Sequence, residues 1–434
     1  MDGVGEDRVG YFELLRTNRT YRGLFAANVL SQVGTWFGTI ALFILAAEVS
    51  GLPELAVGIV LVLRMFAMAV PQPFTGMLAD RYSRKWLMVI AEVLAGGVVL
   101  LYLLVDGPED WALYYGCIVA QMALHALFVP AETAALPNIV GEGEALVTAN
   151  ALNSATWSVA LAFGASLGGL TVAVWGTDVA FIIDAGTFFL AALIIARLRI
   201  TQDTEPPEGS IITGGFRLIR DGVRRIRASP PIYRILTAKA MWSVSGGGLI
   251  YCLILLGDEI GAIEVAAGVG LLFAARGVGS GLGPIVARSM LTDRSRWSFH
   301  LGSMVSLCGL LYVVVALIPW TPWIAVLVLL AHAASGANWV LSTVMLQERT
   351  EDTWRGRVFS ADFLLMTTTN GLSSLGAAML IAYDVLDLRG LVTLLAVGQV
   401  LSGMVWLALT RPGERQYWEE QQHKNPDAID ALHA

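Results

Sequence analysis

Six ionisable residues interrupt stretches of sequence that otherwise avoid charge. Arg64, Lys239 and Arg276 are the bases; Glu92, Asp184 and Asp362 are the acids, with Glu48 and Glu132 near the ends of such stretches. A charge in hydrocarbon surroundings costs about 2.5–3.5 kcal/mol on insertion scales, so each base requires an anionic partner, water or an anionic ligand. An acid isolated among apolar residues can take up and release a proton as its surroundings change. Asp184 and Glu92 stand alone in that way and are the candidates for carrying a coupled proton, with a fixed structural ion pair as the alternative reading. His125 and His332 can titrate near neutrality or act as neutral hydrogen-bonding groups.

Polar residues recur at helical spacing in four of the apolar runs. The first carries Asn28, Gln32, Thr35 and Thr39, and the fourth carries Gln121, His125 and Glu132 with Phe128 between them. The tenth carries His332, Ser335, Trp339 and Ser342, with Asn338 beside Trp339; the seventh carries Lys239, Trp242 and Gly246. In a membrane helix such a stripe turns away from lipid, toward protein or a water-filled path. Trp36, Trp157, Trp242, Trp339 and Phe163 could offer stacking surface to a large, partly apolar ligand, or serve as core and lipid-facing residues. The candidates for lining a substrate cavity are therefore Asn28, Gln32, Trp36, Arg64, Gln121, His125, Lys239, Trp242, Arg276, His332, Asn338 and Trp339.

These residues need long apolar helices to hold them. The chain has 434 residues, 56 % hydrophobic and only 15 % charged, with a mean hydropathy of +0.65; soluble domains are about a quarter charged. The apolar residues come in runs long enough to cross the ~30 Å hydrocarbon layer as helices. Twelve such runs lie near 23–48, 54–79, 86–105, 111–135, 147–173, 178–198, 232–256, 262–288, 298–318, 322–346, 357–382 and 389–410. Backbone groups inside lipid must be paired within the segment, which selects helices and predicts an all-α membrane protein. The polar first 22 residues lack a cleavable leader pattern, so the first run reads as a retained span.

All but four of the 28 lysines and arginines fall on one side if the N-terminus is inside; the exceptions are Arg389 in an outer loop and the three intramembrane bases. Both termini are therefore expected in the cytoplasm. The connection "PNIVGEGEAL" departs by carrying Glu142 and Glu144, and outer loops such as "GDEIGAIE" contribute to the net charge of −7. That balance gives no reason to expect nucleic-acid binding. Trp111, Trp320 and Trp323 flank outer loops and read as interface anchors. Cys117, Cys252 and Cys308 lie inside apolar runs and read as small fillers, with no disulfide, metal or other cofactor expected.

The one long polar insert begins "TQDTEPPEGS", a flexible linker, and continues "IITGGFRLIRDGVRRIRASPP". There Phe216, Ile219, Val223 and Ile226 alternate at helical spacing with Arg217, Arg220, Arg224 and Arg227, a basic amphipathic helix suited to the inner membrane surface. The expected organisation is an N-terminal segment at 1–22, a six-helix bundle at 23–199, the linker and basic helix at 200–230, a second bundle at 231–410 and a solvated tail at 411–434. The bundles also repeat one another at a constant offset. Tyr21-Arg22 pairs with Tyr233-Arg234, Arg64 with Arg276, Ala149-Asn150 with Ala361-Asp362, and Gly164-Ala165 with Gly376-Ala377. Repeated bundles of this kind are the architecture of many secondary transporters.

The first inner loop, "GMLADRYSRK", packs Asp80, Arg81, Arg84 and Lys85 together, and "LTDRSRW" at 291–297 is its near-counterpart. Positive-inside topology accounts for the bases but not for Asp80; an acid at a helix end can bond neighbouring helices or face a helix N-terminus. The stretch resembles the loop signature G-x-L-A-D-R-x-G-R-[KR] of the major facilitator superfamily, with Ser83 where glycine is usual. "GFRLIRDGVRRIRASPPI" and "STVMLQERTEDTWRGRVFSADF" resemble its drug:proton antiporter branch, the one with the enterobactin exporter and macrolide efflux proteins. The resemblance implies an inner-gate latch built from Gly76, Asp80, Arg81, Arg84, Glu132, Arg357 and Asp362. In it Asp80 would face the start of span eleven near Arg355 to Arg357, and Arg84 would bind an acid such as Glu132. Span five, "ALAFGASLGG", keeps Gly164, Gly168 and Gly169 of the antiporter pattern G-x-x-x-G-P-x-x-G-G, with Ala165 for its proline and Ala160 for its first glycine. Span four lacks the arginine of the R-x-x-Q-G pattern. Gly164 and Gly168 also form a small-xxx-small pair that lets helices approach closely.

The expected function is alternating-access transport across the cell membrane, exporting a drug-like, siderophore-like or other amphiphilic small molecule in exchange for protons. The partners are that substrate, membrane lipids and protons. A lysophospholipid carrier and a non-transporting membrane sensor are the alternatives. The chain contains no G-x-x-x-x-G-K-[ST] loop, which argues against ATP hydrolysis, and no grouping of nucleophile, base and metal ligands suggests an enzyme.

Overall fold

The computed structural model describes residues 10–141, 144–202, 211–260, 264–290 and 296–424. Glu142, the linker at 203–210, part of "GDEIGAIE", most of "LTDRSRW" and both chain ends lie outside the described residues. Among the described residues all regular structure is helical. The α-helices are α1 (Tyr11–Thr17), α2 (Arg19–Val49), α3 (Pro53–Ala69), α4 (Gln72–Arg81), α5 (Arg84–Leu101), α6 (Trp111–Val140) and α7 (Glu144–Arg197). They continue with α8 (Ile211–Ala228), α9 (Pro230–Glu259), α10 (Val265–Met290), α11 (Trp297–Leu317), α12 (Ile324–Arg349), α13 (Asp352–Ala382) and α14 (Leu388–Lys424).

Among the described residues eleven helical stretches are long and apolar enough to cross a membrane. The twelve runs of the sequence meet eleven because spans five and six read through as α7, turning only at Gly176. Gly176 has φ +84° with open space where a Cβ would stand, so its backbone, not crowding, demands glycine there. Span two is α3 and α4 in series, interrupted at Pro71, whose ring nitrogen offers no hydrogen. In α6, Pro130 likewise deprives the Ala126 carbonyl of its helical donor, and the Thr75 hydroxyl of α4 supplies one at 2.7 Å.

The chain divides into two compact units that do not coincide with the sequence bundles. The first runs through Ala56, then Leu63–Arg217, and takes a stretch of α10 ending at Ala274; the second takes Val57–Val62, a stretch from Leu218 and everything described from Ala275 onward. Small residues explain the exchange. In the first unit Gly169 of α7 lies against the α10 backbone at Ala266 and Gly270, and in the second Gly58 of α3 lies against Ala378 of α13. Contacts this close form where side chains are missing.

Two terminal stretches expected to lie outside the bundles are built in. In the first unit Leu14 of α1 joins a buried cluster with Tyr21, Leu136 and Ala149, and Asn18 caps α2 by accepting from Tyr21 N while donating to Ile139 O. In the second unit α14 continues past residue 410, and Glu414 is buried. It accepts from Arg349 at 2.7 Å and from Arg234 at 2.7 Å. The basic helix α8 also differs from a pure surface helix. Ile226 is buried with Ile232, Leu236 and Val358, and Gly222 abuts the Arg357 carbonyl.

Candidate functional site

In the first unit the polar face of α2 is occupied by acids from neighbouring helices. Asn28 Nδ2 donates to Glu132 Oε1 of α6 at 2.6 Å, and Asn153 of α7 donates to the same oxygen at 3.1 Å. Ser31 Oγ donates to Glu92 Oε1 of α5 at 2.9 Å. Gly34 and Gly38 leave the space into which Asp184 and Thr187 of α7 project; a methyl at either glycine would strike them. Gln32 donates to Asn28 at 2.7 Å, whereas Thr35 and Thr39 return their hydroxyls to carbonyls one turn back on their own helix. Of the four residues in the stripe read from spacing, Asn28 thus bonds a neighbouring helix, whereas Gln32, Thr35 and Thr39 bond within α2. Sequence reasoning missed Ser31 and Asn153. Ser31 stands three residues after Asn28, the signal that would have found it.

Arg64 is buried within Coulombic range of Tyr102, Asp184, Tyr114 and His125. Gln121 is buried close by on the same helix as His125, and its side-chain oxygen has no protein partner among the described residues. Trp36 packs edge-on against Trp157 at 5.9 Å and against Phe273 at 6.4 Å. Gly164 and Gly168 set the spacing beneath it. A Cβ at Gly164 would stand 2.6 Å from the Val33 carbonyl, and one at Gly168 would strike the Phe37 backbone. These two glycines and Gly169 are places of backbone contact.

In the second unit Lys239 Nζ of α9 lies 2.6 Å from Asp362 Oδ2 of α13, both buried. The ammonium also faces the rings of Trp339 of α12 at 5.1 Å and Phe359 at 5.9 Å. Trp339, whose ring the ammonium faces, is itself 45 % exposed. Trp242 lies one turn beyond Lys239 and packs against Gly246. His332 shares a 3.1 Å hydrogen bond with Tyr312, and both are within Coulombic range of Arg276. The two repeated arginines therefore have similar company: Arg64 has Tyr102 and His125, Arg276 has Tyr312 and His332. Asn338 is buried one residue from Trp339.

The latch residues are seated differently from the expectation. Arg84 does not meet Glu132, whose carboxylate belongs to Asn28 and Asn153. Its guanidinium donates to Ala134 O at 2.6 Å and Ala79 O at 3.3 Å, with Asp80 Oδ1 at 3.9 Å. A guanidinium has five donors in a rigid fork, which here bridges a carbonyl in the last turn of α4 and one of α6. Among the described residues Asp362 pairs with Lys239 of α9 as its buried counter-ion. Asp80 is 55 % exposed at its side chain. Arg81 is half-buried, and no atom lies within 4 Å of a Cβ placed on Gly76. Arg357 stacks on Trp354 at 4.7 Å. Gln202, past the end of α7, clamps the loop by accepting from Arg84 N and donating to Tyr82 O.

The family model described as Major Facilitator Superfamily matches residues 24–361. Among curated proteins, the MFS-type transporter YfiS of Bacillus subtilis is 27 % identical over 59 % of this chain and 61 % of its own length. BacE of Bacillus subtilis, a bacilysin exporter by name, is 24 % identical over 74 % of this chain and 80 % of its own. The enterobactin exporter EntS of Salmonella typhimurium is 27 % identical over 58 % of this chain and 64 % of its own. Among solved structures, a POT family transporter in complex with 5-aminolevulinic acid shares the fold with a TM-score of 0.71 at 12 % identity, covering 94 % of this chain and 98 % of that one. A bacterial homologue of the human lysosomal transporter Spinster gives 0.68 at 16 % identity, covering 91 % and 97 %.

Proposed function

This chain belongs to the Major Facilitator Superfamily, a multi-pass membrane transporter and not an enzyme, and from that premise we propose that it exports an amphiphilic small molecule by alternating access in exchange for protons. The observation that carries the reading is the Lys239–Asp362 pair beneath the ring of the half-exposed Trp339. A buried cation held by one acid and covered by aromatic rings suits a ligand with an apolar body and an anionic group, which would compete with Asp362 for the ammonium. The second oxygen of Asp362 has no protein partner among the described residues, so protonation there would weaken the pair and free Lys239 for such a ligand. Relatives named as exporters of enterobactin and bacilysin support the outward direction. The distribution of basic residues supports a cytoplasmic position for both termini.

Counterflow in proteoliposomes tests the reading against a panel of siderophores, macrolides and lysolipids. Exchange of a siderophore or macrolide that becomes uphill under an imposed pH gradient, and collapses with a proton uncoupler, is the expected result. Exchange confined to lysolipids and indifferent to the uncoupler overturns it, and binding without any exchange would make the protein a sensor.

A further inference from the structure

We infer that the first unit holds a proton-transfer ladder along α2, with an acidic mouth at one end and three carboxyl stations below it. The inference rests on the antiport reading and names the side chains that would move the proton. Asn28, Ser31, Gly34 and Gly38 follow one another at spacings of three, three and four, which puts them on one face of α2 over about 15 Å of helix rise. Each level of that face receives an acid from a different segment: Glu132 at Asn28, Glu92 at Ser31, Asp184 at Gly34 and Gly38. Three acids from three helical segments converge on the one helix whose face is small or amide-bearing at those levels.

No cation forms an ion pair with any of the three among the described residues, apart from the Coulombic range that Arg64 has to Asp184. Asp184 is also within that range of Glu92, and Glu92 of Glu132. The groups facing them are Tyr102 beside Asp184 and Arg64, and Tyr21 beside Glu132. A second, independent feature marks a route. Among the described residues Tyr102 Oη, Arg64 Nη1, Asp184 Oδ1 and Glu92 Oε2 have no protein hydrogen-bond partner, each on a residue at least nine-tenths buried. Four orphaned polar atoms in sequence are costly in an apolar interior, and a fold that only packed these helices would have no use for them.

The upper end opens. Tyr102 also borders a cleft of about 310 Å³ with Glu48, Asp106, Asp178 and Trp175, while its hydroxyl is buried within Coulombic range of Arg64. Protons concentrate at a cleft rimmed by acids. A proton delivered there reaches Asp184, then Glu92, then Glu132, each transfer protonating one carboxylate and restoring the charge of the one before. Arg64 sets the gate, because it stabilises Asp184 only while that residue is ionised.

The test is infrared difference spectroscopy on the purified full-length protein, without substrate, across a pH titration. Expected are protonated-carboxyl bands of which one disappears in Glu132→Gln, one in Glu92→Gln and one in Asp184→Asn. Loss of the middle station is expected to shift the titration of both remaining bands. Bands that all survive, or that titrate independently of one another, overturn the ladder. Gly38→Ala serves as a second variant: it keeps every carboxyl but crowds Asp184, so the Asp184 band should move most and the Glu92 titration should follow it through their coupling, and an unmoved Asp184 band counts against the assignment. A parallel measurement of proton entry into pyranine-loaded proteoliposomes, with the siderophore and macrolide panel inside, separates the two ideas. Coupled bands without proton flux keep the ladder and discard antiport, whereas flux with uncoupled bands does the reverse.

Discussion

Lys239 Nζ and Asp362 Oδ2, 2.6 Å apart and both buried, join α9 to α13 within the second unit. Removing one member of a buried pair strands the other and costs about 3–5 kcal/mol. Asp362→Asn is therefore expected to lower the thermal unfolding temperature in detergent. The exchanged pair Lys239→Asp with Asp362→Lys should recover most of that loss, and a double variant no more stable than the single one would deny the pair its structural part.

The glycines of α7 provide a contrast. Gly168→Ala places a methyl against the Phe37 backbone, where overpacking costs about 1–3 kcal/mol. Gly186→Ala, on the same helix with nothing within 4 Å, should be neutral or stabilising by about 0.5–1 kcal/mol. Unfolding curves of the two variants should separate in that order.

Thr75 serves the carbonyl that Pro130 leaves open. Thr75→Val keeps the shape and removes the donor, leaving a buried acceptor unpaired at about 1–3 kcal/mol. Thr75→Ser should retain most of the stability. Equal melting temperatures for the two would show that the hydroxyl is dispensable.

Among the residues that the resemblance assigns to an inner-gate latch, Asp80 has the most accessible side chain, and its removal should not disturb packing. Asp80→Asn is expected to abolish most transport while membrane abundance stays at the wild-type level. Undiminished transport would leave the loop with topology as its only explanation.

What the sequence disclosed follows from what its patterns encode. Runs of apolar residues state helix length and number, so all twelve runs found their helices, and the glycine spacing of α7 announced a close approach before its partner was known. Partner choice was less visible. Glu132 carried the expectation of an arginine from the family resemblance, yet Arg84 bonds carbonyls of α4 and α6, and two amides serve the acid instead. Lys239 and Asp362 were each singled out, but 123 positions separate them along the chain, and spacing along single helices says nothing of contacts between them. The exchange of segments between the two units was hidden for the same reason, since Gly58 and Gly270 look like any other small residue until their neighbours are placed.

Glu414 lies just beyond the point where hydropathy suggests the last crossing ends, in a stretch that reads as a polar tail. A shortened form of the protein trimmed to that apparent edge, for display, fusion or crystallisation, would discard the acid that Arg234 and Arg349 hold in common. Two like charges would then be left side by side at the foot of α9 and α12. Reporter tags and protease sites therefore belong after the continuation of α14, because the final turns of that helix act as a fastener and not as packaging.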